Sequence, residues 1–225
     1  MVTTKSGPEA TGSAFSTRRV FLPPPVSRQA EFWRLLLLLL GVRRRAHQLV
    51  LDSLNLTGNE NVLHVGCHTG GLSLALLRRW PGLDLEAVDS DEVGLELAVK
   101  AAAKAGARVL FKKGYFQDLP ITTERHDVVV GALSLHRLGP VDRKDALQEF
   151  QRVLKPGGCV LLADHGEPAG GLGGWLVSKL VPHERGLPEQ LAKGLEALLR
   201  QEGFAHCQTL AKGPFGLQVV TGQRP

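Results

Sequence analysis

The feature that most constrains this chain is an apolar run, Val62-Leu63-His64-Val65, that breaks into the turn Gly66-Cys67-His68-Thr69-Gly70-Gly71. The turn opens a leucine-rich segment, Leu72 to Leu77, and Ala87-Val88-Asp89 follows about one β-α-β unit later. A strand that ends on glycines lets backbone N–H groups and a helix N-terminus approach a ligand closely, because no side chain stands in the way. An acid at the end of the next strand then accepts hydrogen bonds from a ribose. The stretch points to a nucleotide-like ligand. His64 and His68 stand where such a loop usually carries an acid and a further glycine.

The rest of the chain reads as a regular alternation from Asn61 onward. Val62 to Val65, Leu83 to Val88, Val109 to Phe111, Asp127 to Leu133 and Cys159 to Ala163 have the apolar, β-branched character of buried strands. Leu72 to Arg79, Asp91 to Ala105 and Asp142 to Leu154 have helical spacing, and Lys155-Pro156-Gly157-Gly158 stops the last of them. Strands alternating with helices predict a parallel sheet covered on both faces. The carboxyl end differs: a helix over Pro188 to Gln201 precedes Phe204 to Leu210 and Gly216 to Thr221, which read as a hairpin across Lys212-Gly213-Pro214-Phe215. The sheet therefore gains an antiparallel element.

At 225 residues, with 43% hydrophobic and 22% charged residues, one globular domain over 26–225 is expected, behind a tail over 1–25 rich in Ser, Thr, Gly and Pro. The net charge of +5 is uneven, since residues 1–50 hold eight basic residues against Glu9 and Glu31, and the remainder holds 19 against 20 acids. A near-neutral core argues against nucleic-acid binding, and a single tyrosine gives little support to base stacking. The basic, acid-poor amino terminus suits a weak contact with an anionic membrane surface, or organellar import, against the plainer reading of a solvated tail. Leu35 to Leu40 is too short a run to span a bilayer and is read, with the helix from Ala46 to Leu54, as part of a pair of lid helices over 26–56. Cys67, Cys159 and Cys207 are far apart, with no metal or disulfide spacing, which fits a reducing, cytoplasmic compartment.

Two segments carry a family resemblance over residues 45–223. Leu147 to Gly158, reading Leu-Gln-Glu-Phe-Gln-Arg-Val-Leu-Lys-Pro-Gly-Gly and followed by Cys159 to Asp164, is similar to the post-helix signature of class I S-adenosylmethionine-dependent methyltransferases. His126 to Val130 with Leu133-Ser134-Leu135-His136 resembles their fourth-strand motif. The pattern resembles the type 11 group, which includes ubiquinone and menaquinone C-methyltransferases. The resemblance implies a Rossmann-like α/β fold, a mostly parallel seven-stranded sheet with a carboxyl-terminal antiparallel hairpin and helices on both faces. It implies S-adenosylmethionine as cofactor and S-adenosylhomocysteine as product. Gly66, Cys67 and Gly70, with His64 and His68 at the departing positions, would line the methionine part. Asp89 would hold the ribose hydroxyls with Ser90 beside it. Tyr115, Phe116 and Gln117 would flank the adenine, and Leu133 would lie beneath the cofactor near the sulfonium. Where the family has an acid before the fourth strand, in a Gly-Asp-Ala pattern, this chain has Tyr115.

Three readings follow for function. The first is methyl transfer to a small apolar or aromatic molecule, with His136, just after the fourth strand, as the candidate general base and His165 as the second choice. Gly166 to Pro188, with its glycines around Trp175, is then a lid insertion over the substrate. The second is a binding or scaffold protein on the same fold, to which the changes at His64, His68 and Tyr115 point. The third gathers His64, His68, His136 and His165 at one sheet edge as metal ligands, although their spacing is a weak signal and no metal is assigned.

Overall fold

Alternation along the strands sorts this protein into layers. In the computed structural model, whose described residues are 41–166 and 194–225 (the Phe215 side chain excepted), Leu63 and Val65 of one strand face one layer while Val62 faces the other. Val129 and Val160 join the first layer, and Val128, Val130 and Leu161 the second. A period of two is what a pleated strand buried on both faces imposes.

The elements are α1 (Val42–Ser53), β1 (Asn61–Val65), α2 (Gly71–Arg79), β2 (Asp84–Asp89), α3 (Glu92–Ala105), β3 (Leu110–Lys113), β4 (His126–Ala132), α4 (Pro140–Val153), β5 (Leu154–His165), α5 (Gly194–Gln201), β6 (Ala205–Lys212) and β7 (Leu217–Gln223), with short 3-10 turns at Leu135–Arg137 and Pro214–Gly216. The seven strands lie in the order β3-β2-β1-β4-β5-β7-β6. β1 to β5 pair in parallel, and β7 inserts antiparallel between β5 and β6. The expected seven-stranded architecture is the one observed. α4 and α5 cover one face through Leu147, Phe150 and Leu199, and α1 and α2 cover the other through Val50, Leu72 and Leu76. Among the described residues, no helix is long and apolar enough to cross a membrane.

Most boundaries fall within two residues of expectation, and two differ by more. The helix read from Ala46 begins at Val42, so Arg43, Arg44 and Arg45 lie on its first turns. The fifth strand starts at Leu154 instead of Cys159, because Lys155 to Gly158 form a bulge opposite Asp127. Gly157 N–H and Gly158 C=O pair with the backbone of Arg224, which ties the bulge to the end of the chain. The helix stop itself falls at Val153. The tail over 1–25, the Leu35 to Leu40 run, Trp175 with the lid insertion, and residues 188–193 of the expected last helix lie outside the described residues.

The chain reverses its order of strand addition at β1, whose two neighbours are β2 and β4. Ligands in open α/β sheets collect in the crevice at such a point, at the carboxyl ends of the strands. The opposite end of the sheet holds charge of its own. Glu86 is 1% exposed and is paired with Lys112 at 2.7 Å and with Arg125, while His126 lies 3.8 Å from the same carboxylate. Neither ring nitrogen of His126 has a hydrogen-bond partner. Burial outweighs the attraction of Glu86 and lowers the His126 pKa to about 4.

The unfolded chain protonates His126 near pH 6.5 and the folded one does so only near 4, so the unfolded state binds more protons between those values and stability falls as pH falls. From pH 7 to pH 5 this one group removes about 2 kcal/mol. Urea denaturation of His126→Leu should therefore show a variant whose stability relative to the parent improves by about that amount between pH 7 and pH 5. A difference independent of pH would contradict the assignment.

Candidate functional site

Three segments meet at the crevice. Gly66 has φ +72°, and a Cβ there would lie 2.8 Å from Ser134 Cβ and 3.1 Å from Phe116 Cζ. The glycine is therefore needed both for its backbone angle and for the approach of two other segments. Gly70, at φ +76°, lies against Ala98 of α3, and its N–H bonds to Cys67 C=O. Between them His68 sits at φ +46°, an angle that His tolerates better than most side chains. Its ring is directed toward Asp91, with Nε2 3.9 Å from the carboxylate, at the start of α3. The side chain at the departing glycine position thus leans on the neighbouring helix.

Asp89 ties this loop to α3. Its Oδ2 accepts from His68 N–H at 2.7 Å and its Oδ1 from Asp91 N–H at 2.9 Å. A carboxylate has about four acceptor positions, so each oxygen retains one for a ligand hydroxyl. Ser90 is exposed beside it. Tyr115 is 40% exposed, Gln117 is half-buried, and Phe116 packs against the α4–α5 layer of the core.

Two expected contacts are buried. Cys67 is 1% exposed and packs with Ala87 and Leu95, and burial followed by the Asp89 charge pushes its thiol up to about 12. It is no nucleophile at neutral pH. His64 is 2% exposed, and its Nδ1 lies 2.7 Å from Ser73 Oγ in the first turn of α2. Burial, then the charges of His47 and Arg43, lower its pKa to about 3, so the ring is neutral. An uncharged group thus stands at the position where an acid was expected.

The end of β4 is organised by a residue whose role the sequence did not reveal. Leu133 leaves the strand at φ +55°, a conformation that costs a branched residue about 1–2 kcal/mol. The turn brings three successive amides onto Asp164 Oδ2, from Ser134 at 3.1 Å, Leu135 at 2.8 Å and His136 at 3.1 Å. Asp164 Oδ1 lies 2.8 Å from His136 Nδ1 and accepts His165 N–H at 2.8 Å. Burial alone would raise the Asp164 pKa, but His136, and then His165, hold it down to about 2. The carboxylate is ionised at neutral pH and can only accept, so His136 Nδ1 carries the proton and a neutral ring leaves Nε2 as a base. Arg143, 1% exposed, grips the same turn from its carbonyl side, donating to Leu135 C=O at 3.3 Å and Leu138 C=O at 2.7 Å. The signal for this pair was an acid and a His-bearing turn at the same ends of adjacent parallel strands.

Of the four histidines expected at this edge, only His136 and His165 meet, with ring centroids 5.3 Å apart in an edge-to-face arrangement. His64 and His68 are directed elsewhere. Among the described residues, no group of three or more His, Cys, Asp or Glu side chains is arranged to hold a metal ion.

Comparison with known proteins places this geometry in a family. A methyltransferase-domain profile matches residues 62–158. An uncharacterized methyltransferase of Synechocystis is 30% identical over 83% of this chain and 86% of its own length. A ubiquinone/menaquinone biosynthesis C-methyltransferase of Syntrophotalea carbinolica is also 30% identical, over 59% of this chain, and the match spans only 55% of that relative. A solved Thermotoga maritima structure, described as a SAM-dependent methyltransferase and possible histamine N-methyltransferase, superposes with a TM-score of 0.65 over 87% of this chain and 95% of its own, at 21% identity, and so speaks for the fold alone. The chain belongs to the class I S-adenosylmethionine-dependent methyltransferases.

Proposed function

We propose that this protein transfers the methyl group of S-adenosylmethionine to a small apolar or aromatic molecule, with His136 as general base. The observation that carries the reading is the His136–Asp164 pair beside the Gly66 crevice. A histidine held in one tautomer by a buried carboxylate is suited to taking up the proton of an acceptor.

The residues fit the cofactor. Gly66 leaves a cradle that a side chain would close, Asp89 retains acceptor positions for ribose hydroxyls, and the first turn of α2 has neither a side-chain cap nor an acid. When bound, S-adenosylmethionine supplies a methyl group already activated on a sulfonium. The protein's own task is then to align the acceptor and to take up its proton. Asp164 fixes the His136 ring, and Nε2 accepts the proton of an acceptor hydroxyl or acidic carbon. The Asp164 charge stabilises the imidazolium that results. A near-neutral core and free, scattered cysteines support a small-molecule substrate and a cytoplasmic setting.

Calorimetric titration with S-adenosylhomocysteine tests the first half of this reading. Saturable heat below millimolar ligand is expected, and neither heat nor a thermal shift at millimolar ligand would overturn it. The second half is tested by methyl transfer to a panel of phenols and acidic carbon compounds. His136→Phe should lower kcat by about 10²–10⁴, with cofactor affinity held within about threefold. Parental kcat in this variant would remove His136 from the mechanism.

A further inference from the structure

α3 buries one stripe, Gly94, Leu95, Ala98 and Ala102, and turns most of its remaining circumference to solvent. Among the described residues, seven large apolar side chains are exposed, and three of them stand on this one helix: Val93 at 67%, Leu97 at 49% and Val99 at 51%. The apolar surface continues across a shallow groove to β3, with Leu95, Val99 and Phe111 on its walls and the Glu92–Lys113 ion pair at its rim. Charge is ordered along the same helix. Glu92 and Glu96 precede Lys100 and Lys104, and Glu96 and the two lysines make no ion pair among the described residues. The helix dipole favours that order within one chain, but it gives no reason to leave three apolar side chains exposed between the charges. β3, the open edge of the sheet beside α3, has only four residues, and its Lys112 and Lys113 are paired with Glu86 and Glu92. A short, lysine-bearing edge resists strand pairing, which leaves the helix as the element able to dock.

We infer that α3 is the contact of a homodimer, in which a second copy of this chain packs its own α3 antiparallel against the first about a two-fold axis level with Ala98. Charge selects this occupant. A helix with acids first and bases last is complementary to an antiparallel copy of itself, whereas a parallel copy would set like charges side by side. An axis at Ala98 brings Glu96 of each copy opposite Lys100 of the other, so one contact is made twice, as a two-fold interface requires. Val93 comes beside the aliphatic stem of Lys104 of the second copy, and the two Leu97 side chains flank the axis. One helix per copy is a small contact beside the about 800 Å² per partner of a standard interface, which sets a dissociation constant of about 10 μM. The dimer braces the cofactor side of the crevice from outside: Gly70 lies against Ala98, and Asp89 and His68 hold the start of α3.

Analytical ultracentrifugation of the full-length protein at about 50 mM salt, where surface charges are little screened, tests this. The parent should be largely dimeric at about 300 μM and monomeric at about 1 μM. Glu96→Lys and, separately, Lys100→Glu each put like charges into both contacts and should weaken association about tenfold or more. Mixing these two single variants restores opposite signs only between unlike copies, so the mixture should associate about as tightly as the parent. Leu97→Asp should leave a monomer at about 300 μM, with a melting temperature near the parent's because the side chain is exposed. Leu97→Ser serves the same purpose if that variant does not fold. A parent that is monomeric at about 300 μM, its α3 face covered by some other partner or by none, would overturn the inference. So would a dimer that none of the substitutions weakens, or a mixture of the charge variants that associates no better than its components.

Discussion

Five hydrogen bonds converge on the Asp164 carboxylate, and the shape of the crevice depends on them. Three come from successive amides of a turn that begins at a strained Leu133. Without the carboxylate those amides would have no acceptor, and each buried donor left unpaired costs about 1–3 kcal/mol. The same group orients the His136 ring. Arg143 holds the carbonyls of that turn from the other side, so a buried anion and a buried cation grip one short segment between them. A carboxylate inside a protein is costly unless it is satisfied in this way.

The glycine loop is shaped by a different constraint. Its backbone passes through three positive φ angles, at Gly66, His68 and Gly70, and only the glycines lie where a side chain would collide with a neighbour. His68 occupies the middle position because its ring can lean toward Asp91. Asp89 then holds both the loop and the start of α3 through one carboxylate. The departures from the family pattern thus leave the loop's path intact and change its charge. The acid is replaced by a neutral ring, and Arg43 of α1 adds to the burial that keeps it so.

Much of the fold was legible because apolar periodicity is a local signal. The alternation of β1, β4 and β5, the stop at Val153 and the terminal hairpin all follow from residues close together in the chain. The start of β5 was not legible, because its bulge is held by Arg224, far away in sequence. The site divides in the same way. The loop, Asp89 and His136 could be found from motifs. Asp164 could not be paired with His136, because their meeting requires the parallel register that sets Ala132 beside Ala163, followed by the turn at Leu133. Nor does spacing alone reveal that His64 is turned toward Ser73, or that Arg43 of α1 reaches Thr69.

Asp164 holds His136 in one tautomer, with the proton on Nδ1 and Nε2 unprotonated. Nitrogen-15 NMR of the imidazole side chains, recorded at alkaline pH, reads this directly. A neutral His136 with Nδ1 protonated and Nε2 bare, losing that preference in Asp164→Asn, is the predicted result. A ring protonated on Nε2, or an even mixture of tautomers unchanged by the substitution, would contradict the account.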